Sequence, residues 1–453
     1  MSLKKKIIVA CSISFAVIIA IVAVILFAPL PMNVDWDSVY DIGSNVVLLE
    51  AGANGNTTDA PALMKLNDDD SIDTSDWKIL QFTDMHLAET NKGNLGNDRT
   101  IKEFIKAIER ERPDFVVFTG DIITSIRGRA RAIQLCEMME KFGVYWAYCL
   151  GNHEGDAFYK MPRTDLMNII EKYPHCLSEG STKKTAAGDK VWGVGNFVVN
   201  LLGENKKVVQ SLIFMDSGDA ISDADAERLG VEKDSYDYLK PSQVTWYEEQ
   251  VRKVTEDMTN GVKTMLFIHI PLKEQRNVQY ISVDPDPTKM EEGWTFDQAK
   301  EGWSYVEGSE AINPKGIVVG KNAVKDGWKV IKGTANYEGT CSSEWNNGMY
   351  ERMLSLQDGV NALFCGHDHT NDSILYQDAP EGSTPVYLAY GLCGGYATYN
   401  LYEKGRSDDP SKLKKGYSVI TVHADCSFDY TGVLYDNGYG ETKLIVNSLP
   451  YQE

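Results

Sequence analysis

Apolar residues along this chain gather into short runs that alternate with amphipathic stretches. "WKILQFTD" (77–84), "DFVVFTGD" (114–121), "VYWAYCLGNHE" (144–154), "VVQSLIFMDS" (208–217), "VKTMLFIHIPL" (262–272) and "VNALFCGHDH" (360–369) read as strands. Between them Ile101, Phe104, Ile105 and Ile108 recur at helical spacing, and a helix over about 128–141 leads into the third strand. Pro241 opens another helix, whose Val244, Tyr247, Val251 and Val254 form one stripe. Proline suits a first helical position because it has no amide hydrogen to leave unpaired there. A further helix near Met349 to Leu356 precedes the last of these strands, and β-like pieces from Tyr387 onward complete the sheet. Strands apolar on both faces, alternating with helices, predict an α/β fold with helices covering the sheet on both sides.

The rhythm breaks in three places. From Lys273 to Trp345 no period holds, and four of the nine tryptophans (Trp294, Trp303, Trp328, Trp345) fall there. Long aperiodic stretches of this kind are expected to serve function, so 273–345 reads as an insertion over the strand ends, a lid or a substrate wall. Residues 31–76, rich in Asn, Asp, Gly, Ser and Thr, read as a polar spacer with one apolar patch at Val46–Leu49 and with order beginning at Trp77. Ahead of it, Lys4, Lys5 and Lys6 precede an almost unbroken apolar run from Ile7 to Leu30. Roughly 20 such residues cross a bilayer, and the run exceeds the apolar core of about 7–15 residues in a signal peptide. Residues 1–30 are therefore expected to be a single-pass signal anchor in the cell membrane, lysines cytoplasmic, with the rest of the chain outside. Secretion after cleavage is the alternative.

Composition is that of a globular chain, 43% apolar and 24% charged, with a formal net charge of −20. That balance argues against a nucleic acid as a tracked partner, since a phosphate backbone calls for clustered Lys and Arg. It leaves room for a small phosphorylated substrate if cations reverse the sign inside a pocket. Seven of the eight cysteines lie beyond the apolar run, scattered and without close pairs, which does not resemble a disulfide framework.

The strand ends carry the chemistry. They finish in Asp84 and His86, in Asp121, in Asn152 and His153, in His269, and in His367 and His369. Asp84 and His86, two apart on a strand, face the same way. Five of the chain's seven histidines sit at these ends; His175 and His423 do not. In α/β sheets ligands gather beyond the carboxyl ends of the strands. A shell of carboxylate, amide and imidazole suits Fe, Mn or Zn rather than Ca or Mg, and the lack of cysteine argues against a structural zinc. Seven candidates exceed what one metal with an open position needs, so two metals sharing a carboxylate fit the count.

The order Asp-x-His, Gly-Asp, Gly-Asn-His, His, Gly-His-x-His resembles the calcineurin-like metallophosphoesterases over about residues 77–435. The resemblance implies a four-layer αββα sandwich, two mixed β-sheets flanked by helices, with a dinuclear site at the strand ends. Carried over, Asp84, His86 and His369 would hold the first metal, Asn152, His269 and His367 the second, and Asp121 would bridge them. His153 would face the phosphate and assist the leaving oxygen. A hydroxide between the two cations would attack phosphorus in line. Asp368, Asn371 and Asp372 are expected to orient ligand imidazoles. "FTGDIIT", "GHDHTND", "HIPL", Glu338–Gly339 and "NNG" (346–348) are similar to the short phosphatases related to purple acid phosphatases. Thr124 departs from that branch, whose iron-binding tyrosine would stand there. A coloured tyrosinate–iron centre is therefore not expected, and the metal pair stays open between Fe, Mn and Zn. The reading is a phosphomonoesterase. Its rivals are a phosphodiesterase on nucleotides or lipid head groups, a catalytically silent scaffold, and a surface carbohydrate binder suggested by the tryptophan-rich insertion.

Overall fold

The computed structural model describes residues 12–23, 39–52, 58–88, 93–155, 161–256, 261–282, 299–312, 318–331, 338–379, 383–399, 415–435 and 443–446. Two mixed sheets face each other. The larger has nine strands in the order β1 (Val46–Leu49), β2 (Ala62–Lys65), β6 (Phe197–Leu202), β7 (Val208–Phe214), β8 (Lys263–Phe267), β14 (Val360–Cys365), β16 (Tyr387–Tyr390), β15 (Ile374–Tyr376) and β13 (Lys329–Val330). The second has six, in the order β19 (Lys443–Val446), β18 (Phe428–Leu434), β17 (Gly416–Val422), β3 (Trp77–Phe82), β4 (Phe115–Thr119) and β5 (Trp146–Cys149). β3, β4 and β5 run parallel, as do β7, β8, β14 and β16. The carboxyl ends of both parallel sets can thus meet at one edge of the sandwich.

Both faces of these strands are buried, which is why their sequences read as unbroken apolar runs. Between the sheets Ile79, Phe115, Val117 and Cys149 meet Phe197, Phe214, Phe267 and Phe364. The last four stack as a ladder across β6, β7, β8 and β14 with ring centroids 4.5, 5.2 and 5.2 Å apart. Such pairs add about 0.5–1.5 kcal/mol each beyond the area they bury. On the outer face of the six-stranded sheet, Leu80, Phe82, Val116, Phe118 and Tyr148 pack under α2 (Gly93–Glu111), α3 (Gly128–Phe142) and α4 (Arg163–Ile170). The predicted stripe of α2, Ile101, Phe104, Ile105 and Ile108, is buried there. Outside the nine-stranded sheet, Tyr247 and Val251 of α6 (Pro241–Glu256) and Met349, Tyr350 and Met353 of α7 (Met349–Ser355) cover Ile213, Leu266 and Leu363. Helix, sheet, sheet, helix is the expected four-layer order. A short α5 (Asp223–Leu229) stands apart over Tyr238.

Two expectations about the amino-terminal part fail. Among the described residues no helix is long and apolar enough to cross a membrane. The helix α1 is described over 12–23, and the rest of the apolar run lies outside the described residues. The single-pass cell-membrane placement is therefore overturned. Nor is 31–76 merely a spacer. β1 and β2 pair antiparallel, and β2 extends the large sheet alongside β6. The Val46–Leu49 patch, with Leu63 and Met64, supplies side chains that bury at the sheet edge, so order begins well before Trp77. Residues 31–38 lie outside the described set.

The insertion also has structure of its own. β9 (Val278–Ser282), β10 (Trp303–Tyr305) and β11 (Ala311–Ile312) each pair antiparallel with β12 (Val318–Lys325) in a separate small sheet. The seven cysteines from Cys136 onward are free thiols, all buried except Cys341.

Candidate metal centre

Loops after β3, β4, β5, β8 and β14 converge at the edge where the two sheets meet. They are laced by backbone bonds: Asp84 and His86 donate to the carbonyls of Gly120 and Asp121, each at 3.0 Å, and Gly366 donates to that of His269 at 3.0 Å. Just beneath, the Gln81 amide reaches from β3 across the sandwich to the Cys365 carbonyl at 3.1 Å. The approach is close enough to need glycine. A methyl on Gly151 would overlap the Asp121 carboxylate, and one on Gly366 would overlap the Thr83 hydroxyl.

The convergence gathers all seven predicted ligands. Ligand atoms of Asp84, His86 and His369 lie within 4.8 Å of one another, and so do those of Asp121, His269 and His367. Asp121 joins the groups, because its Oδ2 stands 3.6 Å from His86 Nε2 and 3.2 Å from His269 Nε2. The Asn152 Oδ1 meets His269 Nε2 at 3.0 Å, which puts it with the second group. His153 is half-buried; its backbone amide donates to Asp121 Oδ1 at 2.8 Å and its ring lies 5.5 Å from that of His86.

Four of these atoms, Asp84 Oδ1, His86 Nε2, Asp121 Oδ2 and His367 Nε2, are buried without a hydrogen-bond partner. Leaving one polar atom so costs about 1–3 kcal/mol; four aimed at one place are what a cation would satisfy. Asp84, His86, Asp121 and His367 also hold positive φ, between 45° and 78°. Strain of this kind, about 1–3 kcal/mol per residue, persists where the surroundings impose it and clusters at functional sites. Carboxylate, amide and imidazole donors in this set fit two ions of the Fe, Mn or Zn type.

Electrostatics agree. Burial drives the imidazoles of His86, His367 and His369 down to about 3, so they stay neutral with a lone pair to give. For His269 burial acts in the same sense, but the Asp121 carboxylate outweighs it and lifts the ring to about 9. Burial raises Asp121 in turn, yet the charge of the His269 ring holds it well below the usual carboxylate range. A protonated His269 cannot ligate, so a bound cation would displace its proton.

Two of the three expected orienting residues, Asp368 and Asn371, turn elsewhere. Asp368 accepts from the Tyr390 hydroxyl at 2.6 Å and from the Cys341 amide at 3.2 Å, and Asn371 accepts from the Glu338 amide at 3.0 Å. Both therefore brace segment 338–341 instead of an imidazole; Asp372 is buried beyond them. The rings are aimed by the Thr119 carbonyl, 2.7 Å from His269 Nδ1, and by the Thr398 hydroxyl, 2.6 Å from His369 Nδ1. Tyr399 stacks on His369 with centroids 4.2 Å apart. Nothing in "GGYATYN" signals such a role, because its residue types are common in any loop.

Glu154 was also missed, although it adjoins His153. Its buried carboxylate accepts from the Ile122 amide at 2.9 Å, the Tyr148 hydroxyl at 2.6 Å and the Gly151 amide at 2.6 Å. It ties the loop bearing Asp121 to the loop bearing Asn152. Arg163 of α4 adds a bond to the Gly151 carbonyl at 2.6 Å and an ion pair with Asp216.

The model for the calcineurin-like phosphoesterase family matches residues 78–371. Among curated proteins the chain is 26% identical over 351 residues to "Probable inactive purple acid phosphatase 29" of Arabidopsis thaliana, covering 70% of this chain and 74% of that one. It is 27% identical over 348 residues to "Phosphatase DCR2" of Saccharomyces cerevisiae, covering 70% of this chain but 48% of the yeast protein. Among solved structures it is similar to GAP50, "the anchor in the inner membrane complex of Plasmodium" (12% identity, 83% and 90% of the two chains, TM-score 0.37). It is also similar to purple acid phosphatase PPD1 of yellow lupin (14% identity, 81% and 56%, TM-score 0.33). At those scores neither likeness carries weight beside the sheet topology and the ligand cluster themselves. With the family model spanning well over half its length and every ligand position of the motif brought to one place, the chain belongs to the calcineurin-like phosphoesterase family, and its chemistry is that of a metal-dependent phosphoesterase.

Proposed function

We propose that the protein hydrolyses phosphomonoesters, with Asp84, His86 and His369 holding one cation, Asn152, His269 and His367 a second, and Asp121 shared. The observation that carries this reading is the set of four unpartnered ligand atoms arranged around Asp121. When bound, two such cations neutralise phosphoryl oxygens and acidify water. The chain's own residues do the rest. Asp121 fixes the spacing of the two groups, and its second oxygen pins the backbone of His153. The His153 side chain, half-buried beside His86, is placed to donate a hydrogen bond or proton to the departing ester oxygen. Thr119 and Thr398 keep the lone pairs of His269 and His369 directed inward. Rings of Tyr236 and Tyr399 wall His367 and His369, which suits a terminal phosphate on a small molecule.

The test compares p-nitrophenyl phosphate with its bis-ester on protein stripped of metal and then reloaded. Stripped protein should be inert, activity should return with Mn, Fe or Zn, and the monoester should turn over faster. A faster bis-ester would make the protein a diesterase. Inactivity on both after full loading would favour the silent reading, which the word "inactive" in the names of two Arabidopsis thaliana relatives keeps alive.

A further inference from the structure

Tyr236 belongs to an excursion, residues 219–237, that departs after β7 and returns to the site. Its base is closed by the Ala220–Tyr236 antiparallel bridge and by backbone bonds from Ile221 to Ser235 and from Asp237 to Asp219, each at 3.0 Å. Lys240 clamps the neighbouring Asp237 at 2.6 Å, and the Ser235 hydroxyl accepts from the Glu344 amide at 3.2 Å, tying the excursion to the insertion. Tyr236 is thus held rigidly. Its ring meets that of His367 edge to face, centroids 4.5 Å apart at 88°.

The hydroxyl end is the informative part. It finds no hydrogen-bond partner among the described residues, while the carboxylates of Asp368, Asp121 and Glu338 lie within electrostatic reach of it. Among the described residues, the neighbouring tyrosine hydroxyls on this site are engaged: Tyr148 with Glu154, Tyr390 with Asp368, Tyr399 with Glu338. A phenol held this firmly, at the mouth of a cation site and with its donor unspent, is arranged to meet an anion. His153 borders His86 in the first ligand group; Tyr236 borders His367 in the second. The two donors therefore flank different halves of the cluster.

From this placement we infer that Tyr236 is a substrate-binding residue whose hydroxyl donates a hydrogen bond to a non-bridging oxygen of the tetrahedral phosphoryl group lying across the two ligand groups. The inference rests on the phosphoesterase reading and adds a residue that the motif does not contain. A hydrogen bond to a charged oxygen is worth roughly tenfold or more in affinity.

The test is calorimetric binding of inorganic phosphate and of orthovanadate to metal-loaded wild type and Tyr236→Phe, with metal content measured on both. The expected result is about a tenfold weaker binding of each oxyanion by Tyr236→Phe, unchanged metal stoichiometry, and a kcat/KM for p-nitrophenyl phosphate lowered by a similar factor. Wild-type affinity in Tyr236→Phe overturns the inference and leaves the hydrolase reading standing; so does loss of metal from the variant, which would make the tyrosine a support for His367. A wild type that binds oxyanions more tightly than Tyr236→Phe but hydrolyses no ester sinks the hydrolase reading and upholds this one. A loaded wild type that binds neither oxyanion overturns both.

Discussion

Removing the Glu154 carboxylate should unfasten the metal centre from behind. In Glu154→Ala three buried donors, the Ile122 and Gly151 amides and the Tyr148 hydroxyl, lose the acceptor they share. At about 1–3 kcal/mol for each stranded group the cost comes to roughly 3–9 kcal/mol, a large part of the 5–15 kcal/mol or so that holds a typical protein folded. Glu154→Gln keeps one oxygen as acceptor but turns an amide N–H₂ toward donors, for about 1–3 kcal/mol. Tyr148→Phe takes away one donor and leaves the carboxylate its two amides, for about 1 kcal/mol. The order Ala, Gln, then Tyr148→Phe should appear in urea unfolding midpoints at unchanged m-value. It should reappear in metal retained after dialysis, since the tie joins the loops bearing Asp121 and Asn152. A Glu154→Ala protein that unfolds within about 1 kcal/mol of wild type and keeps both metals would refute the reasoning.

Two further substitutions separate roles within the site and one probes a distant contact. Asn152→Ala should lower metal stoichiometry toward one ion, whereas His153→Ala should keep both and lose about 10²-fold or more in turnover; a site emptied by His153→Ala would show that its role is misassigned. Far from the centre, His423 bonds Asp76 at 2.9 Å and Asp429 at 3.2 Å. Burial pulls its pKa down, but the hydrogen bond and charge of Asp76, then those of Asp429, outweigh it and raise the ring above 6.5. The sign follows: the stabilisation is complete below 6.5, the ring's ordinary value, and fades as pH rises through the higher folded value. His423→Gln should thus unfold more easily than wild type in mildly acid buffer and match it in alkaline buffer. An undiminished gap in alkali would contradict the charge account.

Much of the centre was legible because its signals are local. Asp84, Asp121, Asn152, His269, His367 and His369 each lie within four residues of the end of an apolar run, and a parallel strand buried on both faces leaves little choice about where its last residues emerge. The orienting residues were illegible for the opposite reason. Asp368, Asn371 and Asp372 adjoin ligands in sequence, yet Asp368 and Asn371 turn away to brace 338–341, while Thr398, from a loop of ordinary composition, reaches His369. The amino-terminal segment misled in another way. Its polar composition describes the loops around β1 and β2, not the few apolar side chains that bury at the sheet edge.

By itself, then, the sequence determined the alternation of strands and helices and the donor types at the strand ends. Periodicity and side-chain chemistry are properties of neighbouring residues. Only the tertiary structure decided that the two sheets abut so that Thr119 aims His269, that Glu154 ties two loops, and that four ligand atoms are left buried and unsatisfied. Those outcomes depend on contacts such as Gln81 with Cys365, separated by 284 positions in the chain, where packing chooses the partner and local propensity has no say.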